Sequence, residues 1–249
     1  MSEIIIFDSS MPDIGYSSRL STAGDEYEMV KNFVTFIKRK YKKLKNKKVA
    51  LFIEPQLDSG YPDIVIVEYY PLKNDCWDSK RYDLTNTDLK VLFEINSIRY
   101  ANIGELAKRL GFEFDEIHKI LKKLSDCNLI RLSKNELSVR KLSIKKYCRI
   151  SKIISVEAKI NKWNEAIVQA NRNIWFSTES YILINKNACS IATIEKCTEN
   201  GIGVISFNRS FKVMLKSQKQ KFPVSYASLQ FNEMIHRYMH RKEFTNDNK

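Results

Sequence analysis

The chain has 249 residues, with 42 lysines and arginines against 29 aspartates and glutamates, and a formal net charge of +13. This basic excess favours a polyanionic partner, of which nucleic acid is the simplest and an acidic membrane surface the weaker alternative. Only 7 glycines and 5 prolines are present, which excludes collagen-like and linker-like classes.

The remaining composition points to a reducing, aqueous compartment. The five cysteines form no C-x-x-C pair, so the sequence predicts neither a disulfide framework nor a zinc site. No apolar run reaches the length of a bilayer span, and the N-terminus shows no basic region followed by an apolar signal core. We therefore expect a cytoplasmic protein without membrane association.

The first long helical pattern covers residues 25–48 and follows a short predicted strand at residues 4–7. Acidic residues at its start suit the positive end of a helix, and a lysine-rich stretch containing Lys40, Lys42 and Lys43 lies towards its end. That stretch is either a solvated helix end or a surface that contacts phosphate groups.

Strands alternate with helices through most of the remaining chain. Strands are predicted at 49–54 and 64–70, and again at 150–160, where the strand leads into a helix at 162–176. Further strands follow at 181–184, 201–207 and 211–215, with a short helix at 191–197 and a terminal helix at 226–241. Strand–helix–strand order predicts a crossover connection and an α/β core.

Residues 84–140 have a different character. Helical patterns at 87–95, 103–110 and 114–127 precede two short strands at 129–132 and 136–139, an order typical of a winged helix-turn-helix. Bound to a major groove, the third helix and the wing would present basic side chains: His118, Lys119, Lys122, Lys123, Arg131, Lys134 and Arg140. Asp115 and Glu116 would repel phosphates, so a structural or protein-binding role stays the alternative.

Three polar side chains are candidates for chemistry in the α/β core. Side chains alternate along a strand, so Glu157 and Lys159 share one face of strand 150–160, and Asp63 stands at the start of strand 64–70. If the two strands pair, Asp63 and Glu157 can share a Mg²⁺ ion, which needs only one or two carboxylates beside water and phosphate. An exposed Glu–Lys pair on an edge strand is the plainer interpretation.

Taken in order, Pro62-Asp63, Glu157-Ala158-Lys159 and Gln169-Ala170 resemble the PD-(D/E)XK restriction-endonuclease-like nuclease superfamily. The resemblance covers about residues 25–70 and 150–207 and implies an α/β fold with a mixed central sheet flanked by helices. Asp63 and Glu157 are 94 positions apart, far more than a hairpin requires, and an inserted winged-helix domain accounts for the gap. The expected division is a nuclease core at 1–83 and 141–249 with an insert at 84–140.

The resemblance also implies roles for individual residues. Asp63 and Glu157 would hold Mg²⁺, with Mn²⁺ able to substitute, aided by the backbone carbonyl of Ala158. Lys159 would orient or activate the attacking water and neutralise transition-state charge, and Gln169 would position a ligand or the water. A further acidic ligand would come from Glu26, Glu28 or Glu54, and the sequence does not choose among them.

The implied function is Mg²⁺-dependent endonucleolytic hydrolysis of DNA phosphodiester bonds. One core cuts one strand, so double-strand cleavage would need a homodimer or a partner protein. Roles in restriction, defence or mobile-element processing would fit the superfamily. The alternative function is a DNA-binding regulator, or a subunit of a complex, whose nuclease-like core does not cut.

Overall fold

The structure, a computed structural model, describes residues 4–11, 14–19, 23–42, 47–71, 78–98 and 100–246, with side chains described as far as Arg241. Its contacts divide the chain into two compact units, Met1–Pro71 with Ile150–Val224, and Leu72–Arg149 with Ser225–Lys249. The second unit contains the expected insert at 84–140. It also holds the terminal helix, which the sequence analysis assigned to the core.

The elements are numbered in chain order over the described residues. The strands and α-helices are β1 (Ile4–Phe7), α1 (Asp25–Tyr41), β2 (Lys48–Ile53), β3 (Ile64–Tyr69), α2 (Asn86–Ser97), β4 (Tyr100–Asn102), α3 (Ile103–Leu110), α4 (Phe114–Asp126), β5 (Ile130–Leu132), β6 (Ser138–Lys141), β7 (Ile150–Lys159), α5 (Trp163–Asn173), β8 (Glu179–Asn185), α6 (Ile191–Glu199), β9 (Gly203–Asn208), β10 (Ser210–Leu215) and α7 (Tyr226–Asn246). Short 3₁₀ turns lie at Ser79–Asp83, Ile144–Lys146 and Lys186–Ala188.

The first unit is an α/β structure built on a mixed sheet. Among the described residues seven strands form it, in the order β1-β2-β3-β7-β8-β9-β10. Strands β7, β8 and β9 run parallel, while β3 is antiparallel to both β2 and β7. The register between β3 and β7 places Ile64 opposite Val156, so the strand ends carrying Asp63 and Glu157 lie side by side.

Helices cover both faces of this sheet. Helix α1 buries Met29, Phe33 and Ile37 in a core with Ile66 and Val156. On the other face, α5 packs small and branched side chains against β8 and β9: Ala166, Ile167, Ala170, Ile182, Ile184 and Val204. Alternation along the strands sends adjacent residues to these two separate cores, which is why the strands are apolar on both sides.

The end of α1 differs from the sequence prediction. The helix ends at Tyr41 rather than reaching residue 48, and Lys48 opens strand β2, where it stands opposite Tyr69 of β3. The alternating apolar residues from Val49 to Phe52 pair with β1 and β3, and this pairing outweighs the helical tendency of the lysines before them.

The second unit combines helices with a small sheet. Its elements follow the order helix, strand, helix, helix, strand, strand, and among the described residues its sheet has the order β4-β6-β5. Helices α3 and α4 bury a common apolar stripe: Ile103, Leu106, Ile117, Leu121 and Leu124. Helix α3 begins where the Asn102 side chain accepts from the Gly104 and Glu105 N–H groups, and it ends at Gly111, whose φ of 72° favours glycine.

Helix α7 completes this unit by packing against α2. It buries Leu229, Phe231, Met234 and Ile235. Within the described part of the chain, no helix combines the length and apolar character needed to traverse a bilayer.

Candidate metal centre

Two acidic side chains from neighbouring strands meet at one end of the first unit's sheet. Asp63 immediately precedes β3 and Glu157 lies near the end of β7, so the two residues stand at neighbouring strand ends. The Ala158 backbone N–H donates to Asp63 Oδ2 over 2.7 Å, which fixes the carboxyl group beside β7. Glu157 is only 3% exposed. Residues 94 positions apart are thus brought together by the β3–β7 pairing.

This pair carries unusual electrostatics. Burial raises the pKa of Asp63, against the Ala158 N–H and the Lys159 charge, which lower it. Burial also raises the pKa of Glu157, and the negative charge of Asp63 raises it further. Ionisation of both carboxyl groups at one site is unfavourable, because the two negative charges repel each other. Such a pair therefore favours a bound proton or a cation.

Lys159 lies at the end of β7 beside the two acids. Its ammonium Nζ donates to Glu26 Oε2 over 3.0 Å, and its side chain is 15% exposed. Burial by itself would lower the pKa of Lys159, but the hydrogen bond to Glu26 and the charges of Asp63 and Glu157 outweigh it and raise the pKa. Lys159 therefore stays an ammonium and offsets part of the negative charge of the pair.

The structure distinguishes between the acidic residues of α1. Glu26 contacts Lys159, whereas Glu28 forms an exposed ion pair with Lys31 at 3.0 Å. Residues two apart on a helix point to widely separated directions. Glu28, one of the expected ligands, is therefore directed away from the site, and Glu26 takes the position beside it.

Glu54 directly follows β2 and lies next to Asp63. The Glu54 backbone N–H donates to the Asp63 carbonyl over 3.0 Å, and the residue has a φ of 48°, a left-handed conformation unusual for glutamate. Burial raises the pKa of Glu54, the charge of Asp63 raises it further, and Arg19 partly offsets this. Glu54 is thus close enough to Asp63 to interact with it.

Helix α5 supplies two polar groups on the face that covers Glu157. Asn173 is 3% exposed and donates from Nδ2 to Glu157 Oε1 over 2.6 Å. Gln169 lies one turn earlier on the same helix face, and its Oε1 is buried with no hydrogen-bond partner within the described residues. Gln169 was predicted from the sequence, but Asn173 was not. The spacing of four residues between Gln169 and Asn173 was the available signal.

These residues fit a small, hard divalent cation. In the described ranges, no three or more histidine, cysteine, aspartate or glutamate side chains are grouped so that they could hold a metal ion. Mg²⁺ needs fewer, because water and substrate phosphate complete its octahedron. The Asp63–Glu157 pair, with its raised pKa values and the unpartnered acceptor of Gln169 nearby, suits such an ion. At Ala158 the group that contacts Asp63 is the N–H.

The basic residues expected to contact DNA have different surroundings. Four of them are exposed in the second unit: Lys119, Lys122, Arg131 and Lys134. In the first unit, Lys40 on α1 and Lys42 just after it are also exposed. Lys123 is committed elsewhere, since its Nζ forms an ion pair with Asp88 at 2.7 Å and donates to the Asp83 carbonyl. Lys43 lies outside the described residues.

His118 is also committed within the protein. Its Nε2 stands 3.0 Å from Glu136 Oε2, and its ring stacks on Phe114. The exposed acids Asp115 and Glu116 occupy the first turn of α4. The basic surface is therefore carried by the second half of α4 and by the β5–β6 hairpin.

Comparisons of the chain with protein-family models, with curated proteins and with solved structures gave no match. Function is therefore inferred from the chemistry of the chain's own residues. The strongest observation is that the half-buried Asp63 and the buried Glu157 come together near the Lys159 ammonium group.

Proposed function

We propose that this protein is a Mg²⁺-dependent endonuclease that hydrolyses DNA phosphodiester bonds. The observation that carries the proposal is the β3–β7 pairing, which places Asp63 against the Ala158 N–H, between Glu157 and Lys159 in the chain. A buried and a half-buried carboxyl group near one ammonium group form an arrangement with no evident benefit to stability. The resemblance of the same residues to the PD-(D/E)XK motif supports this assignment.

Each residue has a distinct part in the proposed reaction. Bound Mg²⁺, or Mn²⁺ in its place, would polarise the scissile phosphate and make a bound water more acidic. Asp63 and Glu157 would hold the ion, and Asn173 fixes the Glu157 carboxylate through its hydrogen bond. Lys159 stabilises negative charge on the phosphate, and the Gln169 acceptor orients a water molecule.

The second unit supports binding to duplex DNA. Its order of helix, strand, two helices and a strand hairpin is typical of a winged helix-turn-helix, and we assign that role to it. Exposed Lys119 and Lys122 on α4, with Arg131 and Lys134 on the hairpin, would contact phosphates. Replacing Lys122 with Glu should weaken DNA binding and lower its salt dependence.

A nicking assay on supercoiled plasmid with Mg²⁺ or Mn²⁺ tests the proposed activity. Asp63→Asn, Glu157→Gln and Lys159→Met each remove one member of the cluster, and we expect each to lower the rate by about 100-fold or more. Glu165→Gln is a matched control, because Glu165 is exposed on α5 and pairs with Lys162 outside the site. It should retain full activity.

The outcomes separate the two functions considered. Metal-dependent nicking that disappears in the three variants but survives in the control supports the nuclease. Nicking that persists in Asp63→Asn and Glu157→Gln at wild-type rates would refute this site. Salt-sensitive DNA binding without any metal-dependent cleavage would instead favour a DNA-binding regulator with a non-cutting core.

A further inference from the structure

A cavity of about 430 Å³ lies between α1 and the sheet of the first unit. This volume falls within the range of small-molecule sites. Ile66, Ile154 and Val156 form part of its floor, and these side chains point to the sheet face that α1 covers. The cavity is thus on the opposite face from Glu157, whose carboxyl group contacts α5 through Asn173.

One wall of the cavity is an aromatic cluster. Phe33 and Phe36 of α1 meet Phe211 of β10, with ring centroids 5.1 and 5.2 Å from Phe211. The ring planes are inclined by 67° and 43° to that of Phe211. Edge-on and tilted rings of this kind favour contact with another flat ring. The aromatic wall therefore offers ring surfaces against which a planar aromatic ligand can pack.

A polar cluster with two similar halves converges on the same cavity. Glu68 accepts from Tyr41 Oη over 2.9 Å and from Lys47 Nζ over 3.0 Å. Glu179 accepts from Tyr181 Oη over 3.0 Å, and Lys152 Nζ lies 2.8 Å away. The two carboxylates are 8% and 5% exposed as residues.

The cluster selects for ligands that bring hydrogen-bond donors. Burial and the neighbouring carboxylates raise the pKa values of both tyrosines, so their hydroxyl groups stay protonated and already donate to Glu68 and Glu179. A carboxylate has about four acceptor positions. Glu68 receives two hydrogen bonds here, and Glu179 receives one beside its ion pair with Lys152. Acceptor capacity remains, and an amino group or ring N–H would satisfy it.

At the mouth of the cavity stands an additional positive charge. Lys40 lines the cavity and is exposed, and its Nζ lies 5.9 Å from the centroid of the Tyr41 ring. Lys47 and Lys152 face the two carboxylates, so the lining carries three lysines against two glutamates. Lys40 is left to complement an anionic substituent of a ligand.

We propose that this cavity binds a nucleotide whose base carries an amino group, with the base between the aromatic wall and Glu68 and Glu179, and the phosphate near Lys40. Adenine, guanine and cytosine have this amino group. The nucleotide is either a free mononucleotide or one residue of a single strand, since the recognition chemistry is the same. This site is separate from the proposed metal centre and does not depend on it.

Calorimetric titration of the full chain with AMP, adenosine and UMP tests the proposal. We expect AMP to bind with one-to-one stoichiometry. UMP should bind about tenfold more weakly, because it lacks the amino group and its ring N–H lies between two carbonyl oxygens that the carboxylates repel. Glu179→Gln should weaken AMP about tenfold. Lys40→Glu should weaken AMP but not adenosine, and Arg39→Glu is its matched control, since Arg39 is exposed on the same helix and does not line the cavity.

Competition identifies the source of the nucleotide. Displacement of AMP by a short oligo(dA) strand, lost in Glu179→Gln, indicates a nucleotide of a single strand, whereas AMP binding without such displacement indicates a free nucleotide. Thermal melting of each variant checks that it is folded, and Lys40→Glu keeps the test valid if Glu179→Gln unfolds. No AMP binding at about 5 mM, equal affinity for UMP, or unchanged affinity in both variants overturns the proposal.

Discussion

Each unit buries a cluster of charges, and the two clusters are opposite in kind. In the second unit, Arg81 is 1% exposed and forms a two-pronged ion pair with Glu233, with Nε donating to Oε2 over 2.9 Å. Asn232 donates to Glu233 over 3.1 Å, and Arg81 also donates to the Tyr147 carbonyl. In the first unit, the β3–β7 pairing brings two acids, Asp63 and Glu157, to neighbouring strand ends.

The pKa directions express this contrast. Burial would raise the pKa of Glu233, but the charge and hydrogen bonds of Arg81 outweigh burial and lower it. Burial raises the pKa values of both Asp63 and Glu157, and the charge of Asp63 raises that of Glu157 further. A buried ion pair with satisfied hydrogen bonds is a structural element, whereas buried like charges indicate a site suited to a cation.

The largest expected effect concerns the Arg81–Glu233 pair. Glu233→Gln leaves a buried guanidinium without its countercharge, so we expect the free energy of unfolding to fall by about 3–5 kcal/mol. Urea denaturation measures it. Arg81→Met combined with Glu233→Gln should recover part of the loss, because both charges are then gone. A loss below about 1 kcal/mol for Glu233→Gln would contradict the structural role of the pair.

In the first unit the corresponding experiment replaces Asn173, which donates to Glu157, and leaves the Glu157 carboxyl group in place. Asn173→Leu removes the amide that orients the carboxylate, and we expect Mn²⁺ affinity to fall about 10- to 100-fold. Calorimetric titration with Mn²⁺ measures it without any cleavage assay. Asn171→Leu is the control, since Asn171 lies on the same helix as Asn173 but donates to Asn200 at the end of α6. Equal affinities in both variants would show that Asn173 does not position Glu157.

His236 extends the comparison to pH. Burial, followed by the charge of Arg81, lowers its pKa to about 3, although Glu233 acts in the opposite direction and Arg149 adds to the lowering. The folded protein therefore keeps this imidazole neutral, while the unfolded chain takes up a proton near pH 6.5. Stability contributed by neutral His236 is present above pH 6.5 and is lost as pH falls, by up to about 1.4 kcal/mol per pH unit.

Comparison of the wild-type protein with His236→Gln isolates this contribution. Urea denaturation between about pH 6.5 and pH 4.5 should show a steeper loss of stability in the wild type, by about 2 kcal/mol over the range. The other titrating groups are common to both proteins and cancel. Parallel curves would mean that His236 does not carry the linkage.

Much of the secondary structure follows from local sequence patterns. Strand β7 and helix α3 match their predicted ranges within a residue, because β-branched runs and apolar spacing dominate there. The meeting of Asp63 and Glu157 was predictable as soon as the two strands were assumed to pair. The choice of Glu26 could also have been predicted, because Met29 and Val30, three and four positions later, are buried on the same helix face.

Other features depend on tertiary contacts that no local pattern encodes. Residues 152 positions apart form the Arg81–Glu233 pair, so neither partner signals the other in the sequence. The parallel pairing of β1 with β2 and the packing of α7 against α2 are likewise long-range choices. Lys123 has the spacing of a surface lysine, and only the fold shows that it contacts Asp88.

The smallest expected effect is in the first unit, and it is a gain in stability where Glu233→Gln causes a loss. Glu157→Gln removes a charge that burial and Asp63 disfavour, while the amide oxygen can still accept from Asn173. In metal-free buffer at pH 8 we expect it to stabilise the protein by about 1 kcal/mol, or to raise Tm by about 2–4 °C. Added Mn²⁺ should reverse the order, since only the wild type keeps both carboxylates for the ion.

Scanning calorimetry with a chelator and then with Mn²⁺ measures both halves of this prediction. Glu165→Gln serves as the control for removing an exposed acid from the same unit and should leave both melting temperatures unchanged. A Glu157→Gln variant that is less stable than the wild type in chelator would show that the acid pair is a stabilising contact. It would then resemble the Arg81–Glu233 pair, and the distinction between a structural and a functional charge cluster would fail at the residue on which it depends most.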